Sequence, residues 1–91
     1  MIITWGYNMS KKDKLIKRLR RKPNDFTFIE TQSLLQILGF ELTNAGKTSG
    51  SRVKFVRDGI SVYLHKPHQR KELLDYQISY ILDFLEKEGL I

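Results

Sequence analysis

The chain has no cysteine and only two histidines among its 91 residues. Without cysteine, neither a disulfide nor a Cys-based zinc site can form, and no acidic cluster accompanies the histidines to complete a metal site. No apolar run approaches the length of a membrane span, and residues 1–5 lack the basic start and apolar middle of a signal peptide. We therefore expect a cytoplasmic protein with no metal and no cofactor.

The composition is that of a folded protein rather than a disordered one, with 41% hydrophobic and 29% charged residues. The length is enough for one small domain. We predict that residues 10–91 form this domain and that residues 1–9 are an N-terminal extension, because Met9 is an alternative start.

Charge is distributed unevenly along the chain. Residues 1–71 contain fifteen Lys or Arg and five Asp or Glu, a net charge of +10, whereas residues 72–91 have one Lys and five acidic residues, a net charge of −4. Such asymmetry is typical of a protein with one surface for a polyanion, and nucleic acid is the leading choice. A solubilising excess of charge and an acidic protein partner are the alternatives.

Capping signals predict the ends of three helices. Ser10 is a candidate N-cap, and Thr27 with Glu30 has the spacing of a capping box. Gly39 and Gly89 are good C-terminal stops, and Phe40 can fold back onto the helix that ends at Gly39. The predicted helices cover residues 11–21, 29–38 and 74–88, and the second has an apolar face of Leu34, Leu35, Ile37 and Leu38.

Three strands are predicted between the second and third helices, over residues 40–43, 52–57 and 60–65. Asp58-Gly59 is a strong signal for a two-residue hairpin turn. This element order predicts an α+β fold with a three-stranded antiparallel sheet that has helices on one face.

The hairpin turn fixes which side chains share a face of the sheet. Phe55 would lie opposite Val62 and point into the core. The other face would carry Lys54 opposite Tyr63 and Arg52 opposite His65.

This second face suits RNA, because Arg and Lys neutralise phosphates and a tyrosine ring can stack on an unpaired base. Histidine can move protons near neutral pH, so His65 is a candidate acid or base. The alternative is an ordinary half-solvated sheet without a function.

Two flanking segments supply further candidate RNA contacts. The loop before the hairpin contains Gly46-Lys47-Thr48, but the spacing and following helix of a P-loop are missing. Its backbone, lysine and hydroxyls can still contact a phosphate, or the loop is a plain connector. The predicted contacts in the two flanking segments are Lys47, Ser51, Lys66, His68 and Arg70.

The last helix has a second stripe formed by Tyr76, Tyr80 and Phe84, which points away from its aliphatic face. Aromatic residues on such a face need a cover. The first helix, which has only a narrow apolar stripe, is the favoured cover. The alternative is a partner protein that docks on the stripe, or a second copy in a homodimer.

The chain resembles the HicA family of mRNA-interferase toxins from HicBA toxin–antitoxin pairs. The resemblance covers about residues 30–91. It includes the junction from Leu34 to Phe40, the run Gly50-Ser51-Arg52-Val53-Lys54-Phe55, the segment from Ile60 to His68, and the C-terminal helix. The first helix is additional to the family pattern.

The resemblance implies a double-stranded-RNA-binding-like fold, endoribonuclease activity on mRNA, and neutralisation by a HicB-like antitoxin. The family's catalytic histidine follows Gly-Ser at the start of the second strand, and here that position is Arg52. Arginine stays protonated and cannot be a general base, although it can stabilise a phosphate that gains charge. Either His65 takes over the proton transfer without a metal, which we favour, or the domain only binds RNA.

Overall fold

A computed structural model describes residues 10–43 and 52–91. Three antiparallel strands form one sheet in the order β1-β2-β3, which confirms the predicted α+β class. The elements in chain order are α1 (Lys11–Arg20), α2 (Phe28–Ile37), β1 (Glu41–Thr43), β2 (Arg52–Arg57), β3 (Ile60–His65) and α3 (Asp75–Lys87).

Side-chain caps set the N-termini of the first two helices, as predicted. The Ser10 hydroxyl accepts a hydrogen bond from the Asp13 N–H at 3.1 Å. Thr27 and Glu30 form a complete capping box, in which each side chain accepts from the other residue's backbone N–H. These bonds satisfy N–H groups that have no partner inside a helix.

The helices differ by one residue at several ends from the predicted ranges. Helix α1 ends at Arg20 rather than residue 21, because Arg21 caps it and Lys22 takes a φ of +50° before Pro23. Helix α2 spans 28–37 rather than 29–38, and α3 spans 75–87 rather than 74–88. In each case a predicted terminal residue is a cap, which is only half helical.

The end of α2 turns the chain into the sheet. Gly39, at φ +98°, donates to the Gln36 carbonyl, and the Phe40 N–H donates to the Leu35 carbonyl at 2.9 Å. This is the predicted glycine stop. Phe40 is predicted to begin the first strand, but its N–H is used by α2 and its side chain is buried, so β1 begins at Glu41.

The Asp58-Gly59 turn connects β2 to β3 with the predicted register. Asp58 has φ +47° and Gly59 φ +80°, as expected when both central residues of a hairpin turn are left-handed. Phe55 pairs with Val62 and both are buried. The turn therefore directs alternate residues of the hairpin into one core and the intervening ones to the other face.

One hydrophobic core joins the sheet to all three helices, which lie on the face that carries Phe55, Val62 and Leu64. Leu15 and Leu19 of α1 are buried in this core, so the first helix uses its narrow apolar stripe for packing against α2 and α3. On α2, Leu34 and Leu35 are buried as predicted. Ile37 is predicted on the same face but remains 43% exposed.

None of the helices in the described part of the chain is long and apolar enough to cross a membrane.

We predict that Thr27→Ala lowers the free energy of unfolding by about 1 kcal/mol, because the variant has no side-chain acceptor at the N-cap of α2. Urea denaturation followed by circular dichroism measures this change. Thr27→Ser keeps the hydroxyl and serves as the control. Equal decreases in the two variants would contradict a role for the capping bond.

Candidate nucleic-acid interface

The side chains predicted to share the open face of the sheet do so in the structure. Arg52 pairs with His65, and Lys54 pairs with Tyr63, across β2 and β3. Arg52, Tyr63 and His65 are exposed, and Lys54 is half-buried. A permanent cation and an imidazole therefore lie on neighbouring strands, with Cβ atoms about 5 Å apart as expected for directly opposed residues.

Two cations approach the Tyr63 ring. The Arg52 guanidinium carbon is 4.3 Å from the ring centroid and the Lys54 ammonium nitrogen is 5.6 Å from it. Both distances are within the range of cation–π attraction. The ring therefore holds the two long side chains over the sheet, which lowers the entropy that they lose when they bind a phosphate.

The same face is less basic toward the hairpin turn. Val56 pairs with Ser61 there, and Glu41 of β1 lies opposite Val56. Within the described residues, no carboxylate lies within 4.0 Å of the Arg52 or Lys54 nitrogen atoms. Positive charge is thus concentrated at the end of the sheet where β2 begins and β3 ends.

Gln77 of α3 fixes the backbone at this end and was not singled out from the sequence. Its side chain is 4% exposed. Its amide nitrogen donates to the His65 carbonyl at 2.8 Å, and its amide oxygen accepts from the Leu74 N–H at 2.9 Å. Gln77 therefore ties the last residue of β3 to the start of α3. Such a contact between distant segments leaves no local signal in the sequence.

The aromatic stripe of α3 is only partly covered within the chain, which corrects the favoured expectation. Tyr76 is 67% exposed and Tyr80 is 44% exposed. Phe84 alone packs inward, with its ring 6.0 Å from that of Phe40. Helix α1 does not cover the tyrosines, because its leucines are buried in the common core.

Tyr76 and Tyr80 instead border the basic end of the sheet. Together with Tyr63, His65, Leu64 and Gln77 they line an open depression of about 250 Å³ between β3 and α3. The exposed side of the sheet and the tyrosines of α3 therefore form one continuous surface.

The segment after β3 places other predicted contacts at a separate corner. Its backbone pairs with the start of α2, where the Phe28 N–H donates to the Lys71 carbonyl. The Lys66 ammonium lies 5.9 Å from the centre of the Phe28 ring. Lys66, Arg70 and Lys71 line a depression of about 400 Å³ with Thr27, Phe28 and Ile29.

Arg70 is partly engaged at this corner, since its Nε donates to the Glu72 carbonyl at 3.0 Å. His68 is exposed on the same segment. Lys47 and Ser51, the contacts predicted in the loop between β1 and β2, lie outside the described residues.

The arrangement at Arg52 and His65 has the groups for metal-free chemistry on a phosphodiester. An imidazole can accept or donate a proton, and a guanidinium can hold phosphate oxygens through two parallel hydrogen bonds. In residues 10–43 and 52–91 there is no group of three His, Asp or Glu side chains that could hold a metal ion.

Comparisons with models of protein families, with curated proteins and with solved structures gave no match to the chain.

We predict that Gln77→Leu lowers the free energy of unfolding by about 1–3 kcal/mol, because the Leu74 N–H and the His65 carbonyl lose their partners. Urea denaturation measures the decrease. The ring resonances of His65 in NMR spectra should shift as the end of β3 moves.

Gln36→Leu is the matched control, since Gln36 is exposed on α2. Its effect should stay within about 0.5 kcal/mol. Equal stability of the two variants would show that the bridge made by Gln77 contributes nothing.

Proposed function

We propose that the chain binds RNA on the open face of its sheet and cleaves it there, as a HicA-like endoribonuclease that acts on mRNA without a metal. One observation carries the proposal. The exposed end of the sheet combines Arg52, Lys54, Tyr63 and His65 on two neighbouring strands, in the register that the hairpin turn sets. Cations for phosphate, a ring for a base and an imidazole for proton transfer are the groups such a reaction needs.

In the proposed reaction His65 removes the proton of a ribose 2′-OH. The 2′ oxygen then bonds to the adjacent phosphorus while the bond from phosphorus to the 5′ oxygen breaks. The leaving oxygen takes a proton from water, and His65 returns its proton to solvent. The products are a 2′,3′-cyclic phosphate and a 5′-hydroxyl end, so no oxidant or co-substrate is consumed.

Arg52 supports this step electrostatically. In the HicA family the corresponding position is the catalytic histidine, and arginine cannot replace its proton transfer. A guanidinium beside the reacting phosphate can instead stabilise the charge that builds up on the phosphate oxygens. In the proposed reaction, His65 on β3 therefore transfers the proton, and Arg52 on β2 stabilises the charge on the phosphate.

The order of α2, β1, β2, β3 and α3 supports a double-stranded-RNA-binding-like assignment, with α1 as an addition. A HicB-like antitoxin is the partner that goes with this assignment. The exposed tyrosines of α3 adjoin the proposed RNA surface, so a protein docked on Tyr76 and Tyr80 would also obstruct RNA.

Two other functions use the same surfaces. A non-catalytic RNA-binding domain would need the cations and Tyr63 but not His65. A protein-interaction module would use the stripe of Tyr76, Tyr80 and Phe84. The exposure of the two tyrosines favours the interaction module as the second candidate function. Negligible RNA affinity of the wild type at physiological salt would support the interaction module over both RNA-binding functions.

We predict that His65→Ala reduces the rate of RNA cleavage by about 10²- to 10⁴-fold, the usual contribution of a general acid or base. The fold and RNA affinity should persist, because the backbone carbonyl of His65 makes the contact with Gln77. Gel analysis of a labelled RNA measures the cleavage, with and without a chelator.

His68→Ala is the matched control, since His68 is an exposed histidine three residues further along the chain. His68 is a candidate RNA contact and not the proposed base, so this variant should keep the wild-type cleavage rate at saturating RNA even where its affinity falls. Full activity in His65→Ala would eliminate the proposed mechanism. Loss of wild-type activity in the presence of the chelator would show that cleavage depends on a metal. No cleavage by the wild type, combined with salt-sensitive binding, would favour the non-catalytic domain.

We also predict that Arg52→Gln with Lys54→Gln weakens RNA binding and flattens its dependence on salt. Removing one cation that neutralises a phosphate of single-stranded RNA changes the slope of log K against log salt by about 0.7, so removing two changes it by about 1.4. Fluorescence anisotropy with a labelled oligouridine provides the slope. An unchanged slope would show that RNA does not bind this face.

A further inference from the structure

Four cations of α1 form a stripe along one side of the helix. Lys14, Lys17, Arg18 and Arg21 follow the i, i+3, i+4, i+7 spacing and alone line an open depression of about 260 Å³. From residue 14 to residue 21 the helix rises by about 10 Å. In duplex DNA the phosphates of one strand lie roughly 3.4 Å apart along the axis, so a stripe of this length can contact a few successive phosphates of a nucleic-acid strand.

The charge of the stripe is mostly uncompensated. Arg18 pairs with Asp25 and Glu30, both at 3.3 Å. No carboxylate of the described residues lies within 4.0 Å of the charged nitrogens of Lys14, Lys17 or Arg21. The segments 1–9 and 44–51, outside the described residues, contain no Asp or Glu.

The stripe is held on the body of the protein. Leu15 and Leu19 anchor α1 in the core. The Arg18 guanidinium also stacks on Phe26, with its carbon 5.4 Å from the ring centroid, and reaches Glu30 of the α2 capping box. Lys14, Lys17 and Arg21 therefore project from a docked helix, which reduces the ordering that binding requires.

The surroundings of the stripe favour a polyphosphate over a protein or a lipid surface. None of the large hydrophobic side chains exposed in the described residues belongs to α1. Lysine is depleted in protein interfaces, which have an apolar and aromatic centre. A helix that lies on a membrane must expose its apolar face, whereas that of α1 is buried against α2 and α3.

We infer that α1 is a second RNA-binding surface, which contacts the phosphate backbone through Lys14, Lys17 and Arg21 without reading sequence. This surface is separate from the open face of the sheet, because α1 packs in the helical layer on the other side of the core. The inference rests on the proposed RNA ligand but not on cleavage at His65, since a backbone-binding helix adds affinity whether or not the sheet cleaves the RNA.

The test removes the three exposed cations together, as Lys14→Gln, Lys17→Gln and Arg21→Gln. Arg18 is kept because it connects α1 to α2. Glutamine has nearly the helix propensity of lysine, so α1 should persist. Titration of a labelled oligouridine at several salt concentrations should show a slope smaller than that of the wild type by about 2, from three phosphate contacts at about 0.7 each. The cleavage rate at saturating RNA should not change.

A second triple variant, with Lys12, Lys22 and Lys87 changed to Gln, has the same net charge as the first and leaves the stripe intact. Its slope should stay close to that of the wild type. Equal slopes in the two triple variants would overturn the inference, because net charge alone would then explain the binding.

Binding to vesicles that contain phosphatidylserine supplies a further arm of the test. If the stripe variant loses vesicle binding but keeps the RNA slope, α1 is a lipid-binding helix and the inference fails. The paired substitution of Arg52 and Lys54 tests the sheet independently. If the salt slope decreases in the stripe variant but not in the Arg52 and Lys54 variant, α1 binds RNA and the open face of the sheet does not.

Discussion

The register of the β2–β3 hairpin is the constraint on which both the core and the candidate site depend. Asp58 and Gly59 take positive φ angles, and this two-residue turn leaves one way to pair the strands. A shift of one residue would move either Phe55 of β2 or Val62 and Leu64 of β3 to solvent, and would bring polar side chains of that strand inward. Burial of these three side chains therefore holds Arg52 and His65 opposite each other on the other face.

The same separation of faces organises the charge of the whole domain. The helices cover one side of the sheet, and their polar sides are exposed on the far side of the core. Cations consequently occupy two separate surfaces, the open face of the sheet and the exposed side of α1. Helix α3 contains most of the acidic residues of the C-terminal segment. Within the described residues, a single ion pair, from Arg20 to Glu86, connects α3 to α1. Basic and acidic surfaces are thus distinct regions of one small body.

Features that depend on neighbours in sequence were predictable, and features that depend on packing were not. The caps at Ser10 and Thr27, the stop at Gly39 and the pairing of Arg52 with His65 follow from local chemistry and from one turn. The exposure of Tyr76 and Tyr80 could not be predicted in this way, because it depends on where α1 docks. The bridge from Gln77 to the His65 carbonyl spans a loop, so periodicity gave no sign of it.

The contact between Arg52 and Tyr63 limits how a nucleic acid could occupy the candidate site. The guanidinium lies over the ring at 4.3 Å, so an incoming base cannot stack on that side of Tyr63 unless Arg52 moves. A guanidinium can stack and still offer its N–H groups at the edge, which lysine cannot do. A phosphate can therefore bind to Arg52 while the stack persists, and a base can stack on the outer face of the same guanidinium. In the proposed reaction, Arg52 thus supplies a preorganised phosphate site, and the proton transfer is assigned to His65 on the facing strand.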